Sequence, residues 1–198
     1  MTESTTIIAR LYEHIEPLDR GTRYEDPLDA ALRAAHLGEV TGGGSQLGEL
    51  GEIEYADIEM QTTNLDEALP LIVRSLEASG APAGSQLLGP AGVIREFGQL
   101  QSVAVYLDGV SLPDEVYAAL DFSGLVTRLG SAAGPDSFHS FSQGPEETGL
   151  FFFATDAEVA FQQIESVLRP LPIGQNARIV IRPSRERESH RTVRLPRH

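Results

Sequence analysis

Glu52-Ile53-Glu54-Tyr55-Ala56-Asp57-Ile58-Glu59-Met60, followed by Asn64 and the apolar series Leu65, Ala68, Leu69, Ile72 and Leu76, is the stretch that decides the fold. The first part alternates with a period of two and predicts a strand. The second recurs at three and four residues and predicts a helix running to Ser79. Asn64 is a good N-cap, and Gly80 with Pro82 stops the helix.

The strand's alternation changes phase in its middle. Ile53 and Tyr55 share one face, but after Tyr55 the apolar set becomes Ala56, Ile58 and Met60, leaving Asp57 and Glu59 in line with Ile53 and Tyr55. Two explanations are open. A β-bulge resets the register, with Glu52, Glu54 and Glu59 in water or paired to Arg10 or Arg33. Otherwise Asp57 points into a buried or half-buried setting. There a raised pKa would suit acid–base chemistry, and paired carboxylates could hold Mg²⁺ or Ca²⁺. The pattern favours the bulge.

Upstream, Ile7 to Tyr12 reads as a strand and Pro27 to His36 as a helix capped by Asp26, with Leu28, Ala31, Leu32 and Ala35 on one face. Glu39 to Leu47, carrying Gly42-Gly43-Gly44, supplies another strand, and Gly84 to Leu88 a final one. The order is β-α-β-β-α-β.

The second half repeats it. Strands are expected at Leu100 to Leu107, Ser137 to Ser142, Gly149 to Ala154 and Arg178 to Ile181. Helices are expected at Asp114 to Leu129, interrupted near Ser123-Gly124, and from a cap at Asp156 to Leu168. Ala30-Ala31-Leu32 matches Ala118-Ala119-Leu120 at a distance of 88 residues, and Leu76 matches Leu168 at 92. The fold class expected is therefore α+β: two tandem ferredoxin-like β-α-β-β-α-β units with antiparallel sheets. The units span 1–89 and 99–182, joined by a linker at 90–98 and followed by an Arg-rich mobile tail at 183–198, whose charge suits RNA, a membrane or, at least as well, folding back onto the acidic body.

Composition narrows the function. Of 198 residues 41% are hydrophobic, enough for a core, and no apolar run of membrane-spanning length occurs. The polar start Met-Thr-Glu-Ser-Thr-Thr lacks the marks of a signal peptide, and cysteine is absent. The cytoplasm is the compartment expected, without membrane attachment. Every cation is an arginine. Residues 1–177 hold eight Arg against 27 acids, net −19, whereas 178–198 hold seven Arg against two Glu, net +5. Such an acidic body repels nucleic acid, and suits equally a basic protein partner or a solvated surface that keeps the chain soluble.

No motif supplies chemistry. Gly42-Gly43-Gly44 lacks the lysine of a phosphate loop and is part of a strand, where glycines permit a bulge, a twisted edge or the close approach of a partner. His14, His36, His139, His190 and His198 are not at ligand spacing. His139 sits among Ser137, Ser140 and Ser142, with Asp136 poorly placed as a third triad member. Phe151-Phe152-Phe153 must put aromatics on both faces of its strand, one on helices and one under some other cover.

Leu37-Gly38-Glu39-Val40-Thr41-Gly42-Gly43-Gly44, with Gly51 to Glu59, resembles a signature of uncharacterised bacterial proteins found near polymorphic-toxin and contact-dependent secretion genes. The resemblance covers about residues 24–88 and is missing from the second half. It implies a non-catalytic immunity or antitoxin protein that neutralises a basic toxin by direct binding. The expected contact residues are Gly42, Gly43, Gly44, Glu52, Glu54, Asp57 and Glu59, with no catalytic residue, cofactor or metal. The alternatives are a small-ligand-binding regulatory module with a cleft between the two units, or a carboxylate- or metal-dependent enzyme.

Overall fold

Strand β1 (Thr5–Leu11) places Ile7, Ala9 and Leu11 on one face, and all three are fully buried. A strand buried this way needs hydrogen-bonding neighbours on both edges and a helical layer over its apolar face. The structure, a computed structural model, describes residues 4–48, 53–183 and 190–196. In it β1 pairs antiparallel with β3 (Ile53–Thr62) on one side and β4 (Ser85–Gly89) on the other. The outer strands are β2 (Gly38–Leu47) and β5 (Gly92–Phe97), giving the order β2-β3-β1-β4-β5.

The apolar face is covered by α2 (Asp26–Ala34) and α3 (Leu65–Ala78). They contribute Leu28, Leu32, Ala68, Ile72, Val73 and Leu76 to a core shared with Ala56, Ile58 and Met60 of β3. Asn64 caps α3 through its side-chain oxygen, which accepts from the Glu67 amide. α2 departs from expectation. Asp26 is not a cap but a helical residue, because α1 (Pro17–Arg20) and a π-turn (Gly21–Glu25) run straight into it. Arg20, Tyr24, Leu28 and Leu32 are all buried and lie four residues apart. In an α-helix of 3.6 residues per turn that spacing drifts around the axis, and the wider π-turn takes up the drift.

The second unit repeats the plan. β6 (Gln101–Asp108) is central, flanked by β8 (Glu147–Ala154) and β9 (Arg178–Arg182), with β7 (Phe138–Gln143) and β10 (Arg191–Arg194) at the edges. α4 (Asp114–Ala118), α5 (Phe122–Ala133) and α6 (Ala157–Leu168) cover it. The helix break expected near Ser123-Gly124 falls just ahead of them, where Asp121 caps α5 through the Gly124 amide. Asp156 caps α6 as expected. Both sheets have the ferredoxin-like strand order with a fifth strand added beside the last.

That fifth strand corrects two expectations. Residues 92–97, read as part of a linker, form β5, paired with β4 from Ser85↔Phe97 to Gly89↔Gly92. The chain accordingly divides at Gln99/Leu100. Residues 191–194, read as part of a mobile tail, form β10 against β9, and Leu195 beyond them is 4% exposed within the second core. The positions at 184–189 and 197–198 lie outside the described residues. A tail that docks an apolar side chain holds its unit together. Leu195→Ala should cost about 2–4 kcal/mol of stability, read as a lower denaturant midpoint; a tail free in solution would register no change.

Candidate functional site

β2 is an edge strand, and from Val40 to Leu47 it carries neither charge nor proline. Its pairing with β3 sets Gly42 opposite Glu59, Gly43 opposite Ile58 and Gly44 opposite Asp57. Two irregularities bracket this segment. Thr41 is an extra residue on β2, and Glu54 an extra residue on β3 between the pairs Gln46↔Tyr55 and Leu47↔Ile53. The second is the bulge that the phase change predicted. It lets Ile53 and the set Ala56, Ile58, Met60 all be buried while Glu54 is exposed.

The three glycines do different work. A Cβ on Gly43 would lie 2.8 Å from the Asp57 carbonyl oxygen and 2.9 Å from both Arg20 Nη2 and Glu25 Oε1. The Arg20–Glu25 pair therefore occupies the place a side chain would take. Arg20 Nε donates to Glu25 Oε1 at 2.5 Å, and Nη1 donates to the Gly44 carbonyl oxygen at 2.9 Å and to Ser45 Oγ at 3.2 Å. The arginine is thereby strapped along β2 from the helical side. Gly42 and Gly44 meet nothing within 4 Å, so the opposite side of the strand is open.

That open side belongs to the face of β3 bearing Tyr55, Asp57 and Glu59. Arg10 of β1 grips Asp57 with two hydrogen bonds, Nε to Oδ1 at 2.9 Å and Nη2 to Oδ2 at 2.8 Å. Its guanidinium lies 3.8 Å above the Tyr55 ring, which meets Tyr12 edge-on. The bond to Asp57 holds Arg10 above its ordinary pKa. Asp57 is half-buried and paired with Arg10, and Glu59 is exposed. Glu52 lies outside the described residues. Of the expected contact residues, the structure groups Gly42, Gly43, Gly44, Asp57 and Glu59, while Glu54 lies further along the strand at the bulge.

Sequence reading missed the polar network beside this edge. Glu13 is buried with its carboxylate accepting from the Tyr24 hydroxyl at 2.7 Å and lying 3.4 Å from Arg23 Nη1. Burial, and then the nearby Glu13 carboxylate, push the Tyr24 hydroxyl well above its ordinary pKa. The only signal in the sequence was the four-residue spacing of Arg20, Tyr24 and Leu28, which leads to a cluster only once the π-turn is known.

The second unit carries two counterparts. Arg178 grips Glu147 through Nε and Nη2, with its guanidinium 3.8 Å above the Tyr106 ring. The Asp108 carboxylate accepts from the amides of Val110 and Ser111, the Ser111 hydroxyl and Asn176 Nδ2. Burial pushes the Asp108 carboxyl up, but those hydrogen bonds outweigh it and hold it well below the usual carboxylate range. His139 packs on Phe153 with ring centroids 4.4 Å apart, the Ser137 hydroxyl donates to the Gly130 carbonyl oxygen, and Asp136 is exposed. Phe152 is in the core, while Phe151 meets Tyr106 edge-on on the other face. Among the described residues no three His, Asp or Glu side chains are grouped so as to hold a metal ion, and no helix is long and apolar enough to cross a membrane.

No protein-family model and no curated protein matches the chain. Among solved structures it is similar to the aspartokinase alpha and beta subunits, at 12% identity, covering 84% of this chain and 93% of that one with a TM-score of 0.28. It is also similar to the ligand-free regulatory subunit of aspartate kinase from Thermus thermophilus, at 16% identity over 84% of this chain and 97% of that one, TM-score 0.28. A protein assigned as a monooxygenase from Lactobacillus acidophilus NCFM aligns at 10% identity over 96% and 93%, TM-score 0.27. The ferredoxin-like assignment rests on the strand order of each sheet.

Two outcomes check this geometry. Gly43→Ala should destabilise the first unit by about 1–3 kcal/mol, because its methyl overlaps backbone and the Arg20–Glu25 pair. Gly42→Ala and Gly44→Ala should change stability by about 0.5 kcal/mol or less, all three read from denaturant midpoints. The depressed Asp108 pKa stabilises the fold fully above the unfolded carboxylate value of about 3.9, and that contribution is lost as pH falls towards the folded value. Asp108→Asn should therefore lower the melting temperature at pH 7 and flatten its fall below about pH 4.

Proposed function

We propose that this chain is a non-catalytic binding module that takes a partner at the open edge of its first sheet. The observation that carries the reading is β2 itself. Exposed strand edges template pairing with other chains, and proteins blunt them with charges, proline, bulges or short length. β5 is defended by Arg95 and Glu96, β10 by Arg191 and Arg194, and β7 by its six-residue length and a bulge. β2 is ten residues long, and between its two register irregularities the segment from Gly42 to Gln46 pairs regularly with β3, carries no charge or proline and is largely exposed.

Carboxylates in both units have partners within the chain. Asp57 is held by Arg10, Glu13 by Tyr24 and Arg23, Glu25 by Arg20, Asp108 by Ser111 and Asn176, and Glu147 by Arg178. Charge-assisted hydrogen bonds of this kind hold the loops and strands that carry them. The resemblance to immunity proteins supplies one form of the partner, a basic toxin, for which the acidic body would steer the encounter.

A second reading, a small-ligand-binding regulatory module, is favoured by the duplication. Two units share one strand order and one added strand, and each has an arginine that grips a carboxylate while stacking on a tyrosine ring, whereas the glycine segment occurs in the first unit alone.

Retention of partners from a lysate of the source cells separates the readings. Tagged protein should hold one stoichiometric partner that a Gly44→Lys variant, folded by circular dichroism, does not. Equal retention by both variants would move the site away from β2. No retention, together with a rise in melting temperature of several degrees on adding one metabolite, would favour the regulatory reading. A ligand at about 100 times its Kd adds about 2.7 kcal/mol to stability.

A further inference from the structure

We infer that β2 accepts an extended, arginine- or lysine-bearing segment of another protein as an added strand, with the cationic side chains lying across Gly42 and Gly44 towards Glu59. This rests on the binding-module reading and names the chemistry of the occupant.

The register of β2 on β3 leaves carboxylates unscreened at the edge. Gly42 and Gly44 are consecutive positions on the side of β2 away from Arg20, and each is opposite a carboxylate of the next strand, Glu59 and Asp57 respectively. An edge strand ordinarily screens the strand behind it with its own side chains. Here the screen is missing at two successive positions, so the first side chains an incoming strand meets on that face are the exposed Glu59 and the Asp57–Arg10 pair. Neighbouring strands lie about 4.8 Å apart, which puts an added strand about 10 Å from β3. An extended arginine and a glutamate together span that gap.

The charge around the edge favours a cation. Asp57 is already neutralised by Arg10, while Glu54 and Glu59 are exposed on the same strand and the body over residues 1–177 is strongly acidic. A cationic segment is drawn to that field, and an anionic one is repelled.

Pre-organisation of the edge sets the pattern of the segment. Arg20 fixes the edge from the helical side through the Gly44 carbonyl and Ser45, so little order has to be imposed on binding. The Arg20–Glu25 pair also fills the space beside Gly43 on that side. Residues of the added strand that face it must be small. The segment recognised is thus extended and alternates cation, small residue, cation.

The test uses the full chain and two synthetic peptides of about eight residues, a common strand length. One alternates Arg with Ser, and the other alternates Glu with Ser. By fluorescence anisotropy at low salt the Arg peptide should bind and the Glu peptide should not, and physiological salt should weaken the binding. Hydrogen exchange should slow at those amides of residues 42–46 that point away from β3. Glu59→Arg should weaken binding by about tenfold, and Gly44→Lys should do so with circular dichroism unchanged. Equal binding of both peptides, slowed exchange confined to another strand, or an unaffected Glu59→Arg variant would overturn the inference. Protection of β2 that rises with protein concentration alone would also overturn it, making the occupant a second copy. If neither peptide binds while wild-type protein still retains a lysate partner that Gly44→Lys lacks, strand addition of a cationic segment falls and the binding-module reading stands. If that retention is also lost, both fall.

Discussion

The central strands set the terms for everything else. Ile7, Ala9 and Leu11 in β1, and Val103, Val105 and Leu107 in β6, lose almost all contact with water. A backbone buried to that extent must be paired on both sides. Each central strand is therefore flanked by two antiparallel partners, and a helical layer covers the apolar face. Once β1 has β3 and β4 as neighbours, β2 falls to the outside, and the glycine segment becomes an edge. Nothing in Gly42-Gly43-Gly44 itself requires that position.

Arginine does the same kind of work in three places. Arg10 and Arg178 each grip a carboxylate through two hydrogen bonds while stacking on a tyrosine ring, and Arg20 ties a carboxylate, a carbonyl and a hydroxyl together beneath β2. Each arrangement needs a planar group with several directed donors, which a lysine ammonium does not provide. The absence of lysine from the chain fits a protein whose cations are used in this way. Since most of these pairs are partly exposed, their contribution lies more in fixing geometry than in stability.

Where local pattern and tertiary demand agree, the sequence was easy to read. The caps at Asn64 and Asp156, the β-α-β-β-α-β succession within each half and the bulge in β3 all follow from periodicity and short-range chemistry. The added strands were not legible for a reason that applies to both. Gly92–Phe97 and Arg191–Arg194 are short, largely exposed and charged, so they show no alternation of apolar residues; their strand character comes from pairing with β4 and β9. Asp26 misled for the opposite reason. It has the local chemistry of a cap, but the π-turn ahead of it already supplies helical backbone.

The amino-acid sequence by itself determined the two α+β units, the strand containing Asp57 and Glu59, and the glycine triplet as a segment lacking side chains, because each depends on residues close together in the chain. Only the tertiary structure decided what those residues face. It set Gly42 against Glu59, brought Arg10 from a strand 47 residues away onto Asp57, and laid Arg20 along Gly43 and Gly44. These relations depend on strand register and on a helix wound one residue wider at Gly21–Glu25, and both are set by how the whole sheet and its helices pack.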